Sequence, residues 1–171
     1  MDKERDHTKF IIQRFDSYIS GANTKGNFLL AFNTFLCGSI IANYKSLLSL
    51  IEGRGVQYLN VTLILIMIIG LITTGIIVKA VYPFVRSGNS SKEKYHSHLF
   101  FSSVAEYENE KSFAEAYRQR SDEETDEDMA RQAYCLALGL KKKYRWLAWA
   151  MRIVFAELAL LLIILIIISI Y

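Results

Sequence analysis

The sequence predicts an all-α integral membrane protein with three transmembrane helices and a helical cytoplasmic region between spans two and three. Three observations carry that reading. Charged residues make up 22% of the 171, yet they are almost absent from 61–78 and 153–171. Such runs match a hydrocarbon core of about 30 Å at roughly 1.5 Å per helical residue. One proline and nine glycines leave few places for a helix to stop. Lysine and arginine also gather on one side of the expected spans. The expected division is a cytoplasmic N-terminal helix over 1–26, a two-span hairpin over 27–82, a cytoplasmic helical region over 83–145 and a third span over 146–171.

The N-terminal helix rests on Ile11, Phe15, Tyr18 and Ala22, which share one helical face. Gly21 and Gly26 predict a break or weak point before the membrane. The narrow apolar stripe has two candidate partners, the inner membrane surface and the later cytoplasmic helices; its width favours the helices. The first span, 27–50, is the most polar, with Asn33, Asn43 and Lys45 in or near it, and amides at that depth are expected to face other helices. Glu52-Gly53-Arg54-Gly55 forms a tight turn. The second span, 59–82, ends where Lys79 reaches the interface and Pro83 stops the helix.

A polar connector covers 86–95. A helix over 98–118 follows, with Phe101, Val104, Ala105 and Tyr107 as its apolar content. Ser121 and Glu124 then form a capping box, and the acids of 122–128 suit the positive end of a helix dipole. Met129, Ala133, Leu136, Leu140, Tyr144 and Leu147 continue one face without a breaker, so residues 123–170 are expected to form one rod of roughly 70 Å.

Lys3, Arg5, Lys9, Arg14 and Lys25 precede the first span, Arg86, Lys92 and Lys94 follow the second, and Lys141, Lys142, Lys143 and Arg145 precede the third. Only Lys45 and Arg54 lie near the other loop. The asymmetry places the N-terminus and the middle region in the cytoplasm and the C-terminus outside, with Trp146 and Trp149 at the inner interface. The charged, core-less 1–27 segment predicts no cleavable signal peptide.

A net charge of +3 is too small to point to nucleic acid. Cys37 and Cys135 fall in a span and in the cytoplasmic region, so both are expected as thiols. His96 and His98 have no acidic or thiol ligand at metal-binding spacing, and no metal site is expected. No phosphate-binding loop, nucleophile elbow or zinc-protease motif occurs, so an enzyme is not expected. Glu157, about one turn inside the third span, has two evenly matched readings. It is a gating carboxylate facing protein or water, or it reaches back to Arg152 and the interface. Thr73 and Thr74 are expected to bond their own helix backbone. Phe100, Phe101, Tyr107, Phe113, Tyr117 and Tyr134 are many rings for a small region. Together with nearby cations such as Arg131 they could serve as core or clamp a nucleotide, and composition alone favours core.

Three stretches bear on that choice. Ala22-Asn23-Thr24-Lys25-Gly26-Asn27-Phe28-Leu29-Leu30, followed by Asn33, resembles the A-D-x-K-A-x-x-L-L-x-x-N entry of a bacterial membrane family. Phe100-Phe101 with Tyr107 resembles its F-F-x-x-I…E-Y segment, and 128–134 with Lys143-Tyr144-Arg145 and Phe155 resembles its last helix. The family is the transmembrane effector of Pycsar antiphage defence, and the likeness runs in order along nearly the whole chain. It implies an inner-membrane effector that senses cyclic CMP or cyclic UMP made by a pyrimidine cyclase and impairs the bilayer; three helices per protomer enclose no pore, so a homo-oligomer is expected from size. Lys25, Phe101, Tyr107, Arg131 and Tyr134 are then the candidate nucleotide-binding residues, and Asn33 and Glu157 the candidate gating residues. No cofactor is implied. Two other classes stand beside it, a ligand-independent membrane-perturbing toxin and a membrane scaffold subunit. Asn23 replaces the family's aspartate, keeping an acceptor but losing the charge.

Overall fold

The computed structural model describes residues 2–83 and 97–171. Five helices follow in order: α1 (Asp2–Leu48), α2 (Arg54–Val81), α3 (Phe101–Val104), α4 (Glu110–Gln119) and α5 (Asp122–Ile170), with no strand among the described residues. Three of them, α1, α2 and α5, are long and apolar enough to cross a membrane. The helices divide between two compact units, 1–21 with 83–142 and 22–82 with 143–171.

In the second unit the buried positions recur at spacings of three and four, with one step of seven on α5. On α2 they are Gly55, Leu59, Leu63, Ile66, Gly70, Thr73, Ile77 and Ala80; on α5 they are Lys143, Leu147, Ala150, Val154, Glu157 and Ile164. That repeat presents one seam per helix, as in coiled-coil packing. Two apolar clusters result. Ala22, Leu29, Ile77, Ala80, Leu147, Ala150 and Val154 fill one end, and Ile40, Ile51, Leu59, Leu63, Ile66 and Ile164 fill the other. The outward faces are apolar too: Phe28, Phe35 and Leu71 are each more than 70% exposed. A helix apolar all round needs a non-aqueous surrounding, which a bilayer supplies.

The ends of these elements follow local chemistry. Gly53 adopts φ 65°, a left-handed conformation that suits glycine, and so turns the chain into α2. Tyr82 is extended, as a residue before proline must be, and α2 stops at Val81. Gly21 and Gly26, by contrast, do not break α1, which is continuous from Asp2 to Leu48. A glycine costs a helix about 1 kcal/mol relative to alanine. At Gly26 packing offsets this, since a Cβ there would lie 2.2 Å from Val81 Cγ1. Asn43 also departs from expectation: it is exposed and its Nδ2 donates to Ser39 O of its own helix at 2.9 Å.

In the first unit the helix expected over 98–118 is two. α3 ends at Val104, and Asn109 starts α4 with a reciprocal capping box, its side chain accepting from Lys111 N and Ser112 N. Ser121 and Glu124 cap α5 as expected, with Ser121 N donating to Glu124 Oε2 at 2.9 Å and Glu124 N to Ser121 Oγ at 3.2 Å. The N-terminal part of α1 packs in this unit, where Arg5 bridges Asp126 at 2.7 Å and Asp122 at 2.9 Å. The acids of 122–128 therefore serve tertiary contacts as well as the helix dipole. The connector 86–95 and His96 lie outside the described residues.

Candidate functional site

Two polar assemblies stand out, one in each unit. In the first, Asp128 is fully buried on α5. Its Oδ1 accepts from Ser97 Oγ at 2.8 Å, and its Oδ2 from His98 N and from Arg120 Nη1, both at 2.9 Å. Ser97 Oγ in turn accepts from Gln132 Nε2 at 3.0 Å and from Phe100 N at 3.1 Å. Burying a carboxylate requires such full pairing, and here one acid fastens three segments: 97–100, the residue following α4, and α5. Rings cover the assembly: the Tyr107 hydroxyl lies 3.0 Å from His98 Nε2, and Phe113 packs edge-on to Tyr107 at 5.3 Å.

The sequence-predicted nucleotide residues fall in different settings. Tyr107 belongs to this ring cluster. Phe101 is mostly exposed and tilts against Phe100 at 4.9 Å, and Tyr134 is equally exposed on α5. The Arg131 guanidinium donates to Glu127 Oε1 through Nε at 3.1 Å and Nη2 at 2.7 Å. Lys25 belongs to the other unit, with its ammonium 5.9 Å from the centre of the Tyr144 ring. Among the described residues no group of three or more acids, histidines or cysteines has the arrangement of a metal site.

In the second unit a polar layer separates the two apolar clusters. Asn33 is fully buried, and both its Nδ2 protons are used, toward Gly70 O and Thr74 Oγ1, each at 2.8 Å. Thr73 Oγ1 lies 2.9 Å from Ile69 O and within hydrogen-bond distance of Glu157 Oε1. Glu157 is fully buried and its Oε2 has no hydrogen-bond partner, as is also true of Asn33 Oδ1. Gly70 lets α1 and α2 approach here, because a Cβ would sit 2.3 Å from Cys37 Sγ. Glu157 thus faces the other helices. It does not turn to Arg152, whose guanidinium instead lies 5.2 Å from the Trp149 ring.

A third feature escaped the sequence reading. Lys143 is buried, and its ammonium donates to Ala80 O, Val81 O and Tyr82 O and to Asn23 Oδ1 at 3.0–3.1 Å. It caps the C-terminus of α2, where unpaired carbonyls and the negative end of the dipole meet. The Lys141–Lys143 run had suggested three interfacial anchors, but only Lys141 and Lys142 are exposed. The signal was its spacing: Lys143 precedes Leu147, Ala150, Val154 and Glu157 on the buried seam.

Comparison with curated proteins and with solved structures returns no match. The family model described as Pycsar effector protein domain matches residues 7–170, which takes in the span helices and the region between them. The chain therefore belongs to the Pycsar effector family, the transmembrane effectors of an antiphage defence system.

Proposed function

We propose that this effector senses cyclic CMP or cyclic UMP from a cognate pyrimidine cyclase and impairs the bacterial inner membrane, causing abortive infection. The observation that carries the reading is the family match over 7–170, which covers the ring- and charge-rich unit as well as the spans. Sensing falls to residues outside the hydrocarbon. Phe101 and Tyr134 offer exposed ring faces for a base, Tyr107 a hydroxyl, and Arg131 a fork for the phosphodiester. A cyclic phosphodiester and the Glu127 carboxylate each carry one negative charge, so the nucleotide exchanges with Glu127 and leaves the guanidinium paired. Lys25, in the span unit at the start of the first span, is a separate candidate cation.

The third span receives the signal through α5, which is unbroken from Asp122 to Ile170. Asn33 and Glu157 then mark the layer at which the spans part. The interior of one protomer is filled, with Leu59, Leu63 and Ile66 wholly buried, so damage requires a homo-oligomer. The bilayer is the target; no nucleic acid, metal or cofactor is assigned, and no reaction is catalysed. The N-terminus and 83–145, the sensing region, face the cytoplasm, and the C-terminus faces the periplasm.

Calorimetric titration of the purified full-length protein with cyclic CMP, cyclic UMP and cyclic AMP tests this. Binding of one pyrimidine nucleotide and not of cyclic AMP is expected. Arg131→Ala should weaken that binding at least about tenfold, since a charged hydrogen bond contributes roughly 1.5–3 kcal/mol, without lowering the melting temperature of the free protein. Absence of binding, with killing that needs no cyclase, would overturn the sensing role in favour of a ligand-independent toxin.

A further inference from the structure

The buried layer around Glu157 has a proton count that does not close with an ionised carboxylate. The Thr73 hydroxyl has one proton and two neighbouring oxygens, Ile69 O and Glu157 Oε1. A main-chain carbonyl only accepts, so one proton shared between both oxygens gives a weaker bifurcated bond, and two full hydrogen bonds require the carboxyl itself to carry a proton and donate it to Thr73. The remaining amide donors are spent, since both Asn33 Nδ2 protons go to Gly70 O and Thr74 Oγ1. Glu157 Oε2 and Asn33 Oδ1 are buried with no donor at all.

Among the described residues no cation is paired with the carboxyl either. From α1 the titratable side chain at this level is Cys37, a thiol beside Gly70. From α2 come Thr73 and Thr74, and the nearest charge, Lys79, lies 4.4 Å from the Trp146 ring. On α5 itself Arg152 is engaged with Trp149. An ionised carboxylate would therefore sit at hydrocarbon depth with at most one hydroxyl donor and no counter-charge, whereas a neutral acid lets both Thr73 contacts be hydrogen bonds.

We propose that Glu157 is a proton-binding site within the spans. Its carboxyl is protonated and donates to Thr73 while the three helices are packed. Loss of that proton to water entering the layer leaves a charge that the packed helices do not pair, and this favours their separation. The step is an acid dissociation: the O–H bond breaks, the electron pair stays on the carboxylate, and the proton passes to water. The site depends on the spans being embedded in lipid and not on nucleotide sensing, so its test contains no nucleotide and its failure leaves the titration above untouched.

The test uses the full chain in phosphatidylethanolamine–phosphatidylglycerol vesicles, comparing wild type with Glu157→Gln. Infrared spectra at neutral pH should show the carbonyl stretch of a protonated carboxylic acid in the wild type and not in the variant. A carboxylate stretch assigned to Glu157 would overturn the proposal. Leakage of a trapped dye should rise as the pH is raised for wild type and stay flat for Glu157→Gln; equal rises would overturn the role of the proton in packing. If the variant fails to fold, the wild-type carboxylic-acid band and its loss at alkaline pH, in step with leakage, decide the matter.

Discussion

At the scale of single residues, lysine 143 illustrates how a charge can be structural inside a membrane protein. Its three protons face four oxygens, three of them the last main-chain carbonyls of α2 and its C-cap. These would be unsatisfied without it, because no later helical N–H follows. Asn23 completes the shell. An aspartate there, as in the family pattern, would turn this hydrogen bond into an ion pair, so the asparagine retains the geometry and gives up the charge. Lys143→Met should cost about 1–3 kcal/mol, since it strands buried acceptors. The same change at exposed Lys141 or Lys142 should stay within about 0.5 kcal/mol. Melting temperatures of the three variants in detergent check this, and equal effects at all three would contradict a capping role.

At the scale of elements, what could be read from the sequence depended on whether the deciding interaction was local. The start of α5 was legible because Ser121 and Glu124 are a short-range capping pair, and the end of α2 because proline constrains its neighbour. The division of 98–118 was missed because Asn109 and Ser112 form the less familiar N-x-x-S version of the same box. The continuity of α1 was missed because glycine spacing does not reveal that Val81 packs against Gly26. Of the candidate site, Glu157 and Asn33 could be chosen from depth and polarity, but their partners Thr73 and Gly70 required the register between helices. The Glu127 partner of Arg131 lies one turn away, a spacing that the sequence itself displays. Asn109→Ala should remove the side-chain half of the α4 cap, leaving the main-chain N–H of residue 109 to donate to Ser112 Oγ, and cost about 0.5–2 kcal/mol. α4 buries no residue of its own and has little packing to offset that loss. Hydrogen exchange should therefore quicken across Glu110–Gln119 and leave the spans unchanged; uniform quickening would mean that the cap supports more than its own helix.

At the scale of the whole molecule, the proposed orientation rests on where the charges fall along the three candidate spans. α1 and α2 run antiparallel in the span unit: Gly26 meets Val81 and Leu147 at one end, and Gly55 meets Tyr171 at the other. Near the first end lie Lys25, Lys79, Lys143 and Arg145, and near the second only Lys45 and Arg54 as cations. Lysine and arginine beside a span favour the cytoplasmic side, which supports the proposal that the first end lies there. In the proposed topology two crossings return the chain to the side from which it started, which would put 83–145 with the N-terminus, and a third would carry Tyr171 to the opposite side. Trp146 and Trp149 each lie beneath a cation, and the preference of indole rings for the interface agrees with that topology. A reporter active only in the cytoplasm should accordingly work when inserted within 88–91 and fail when fused after Tyr171. The reverse pattern would invert the orientation and place the proposed nucleotide residues where no cytoplasmic cyclase product reaches them, so this one measurement bears on topology and on sensing together.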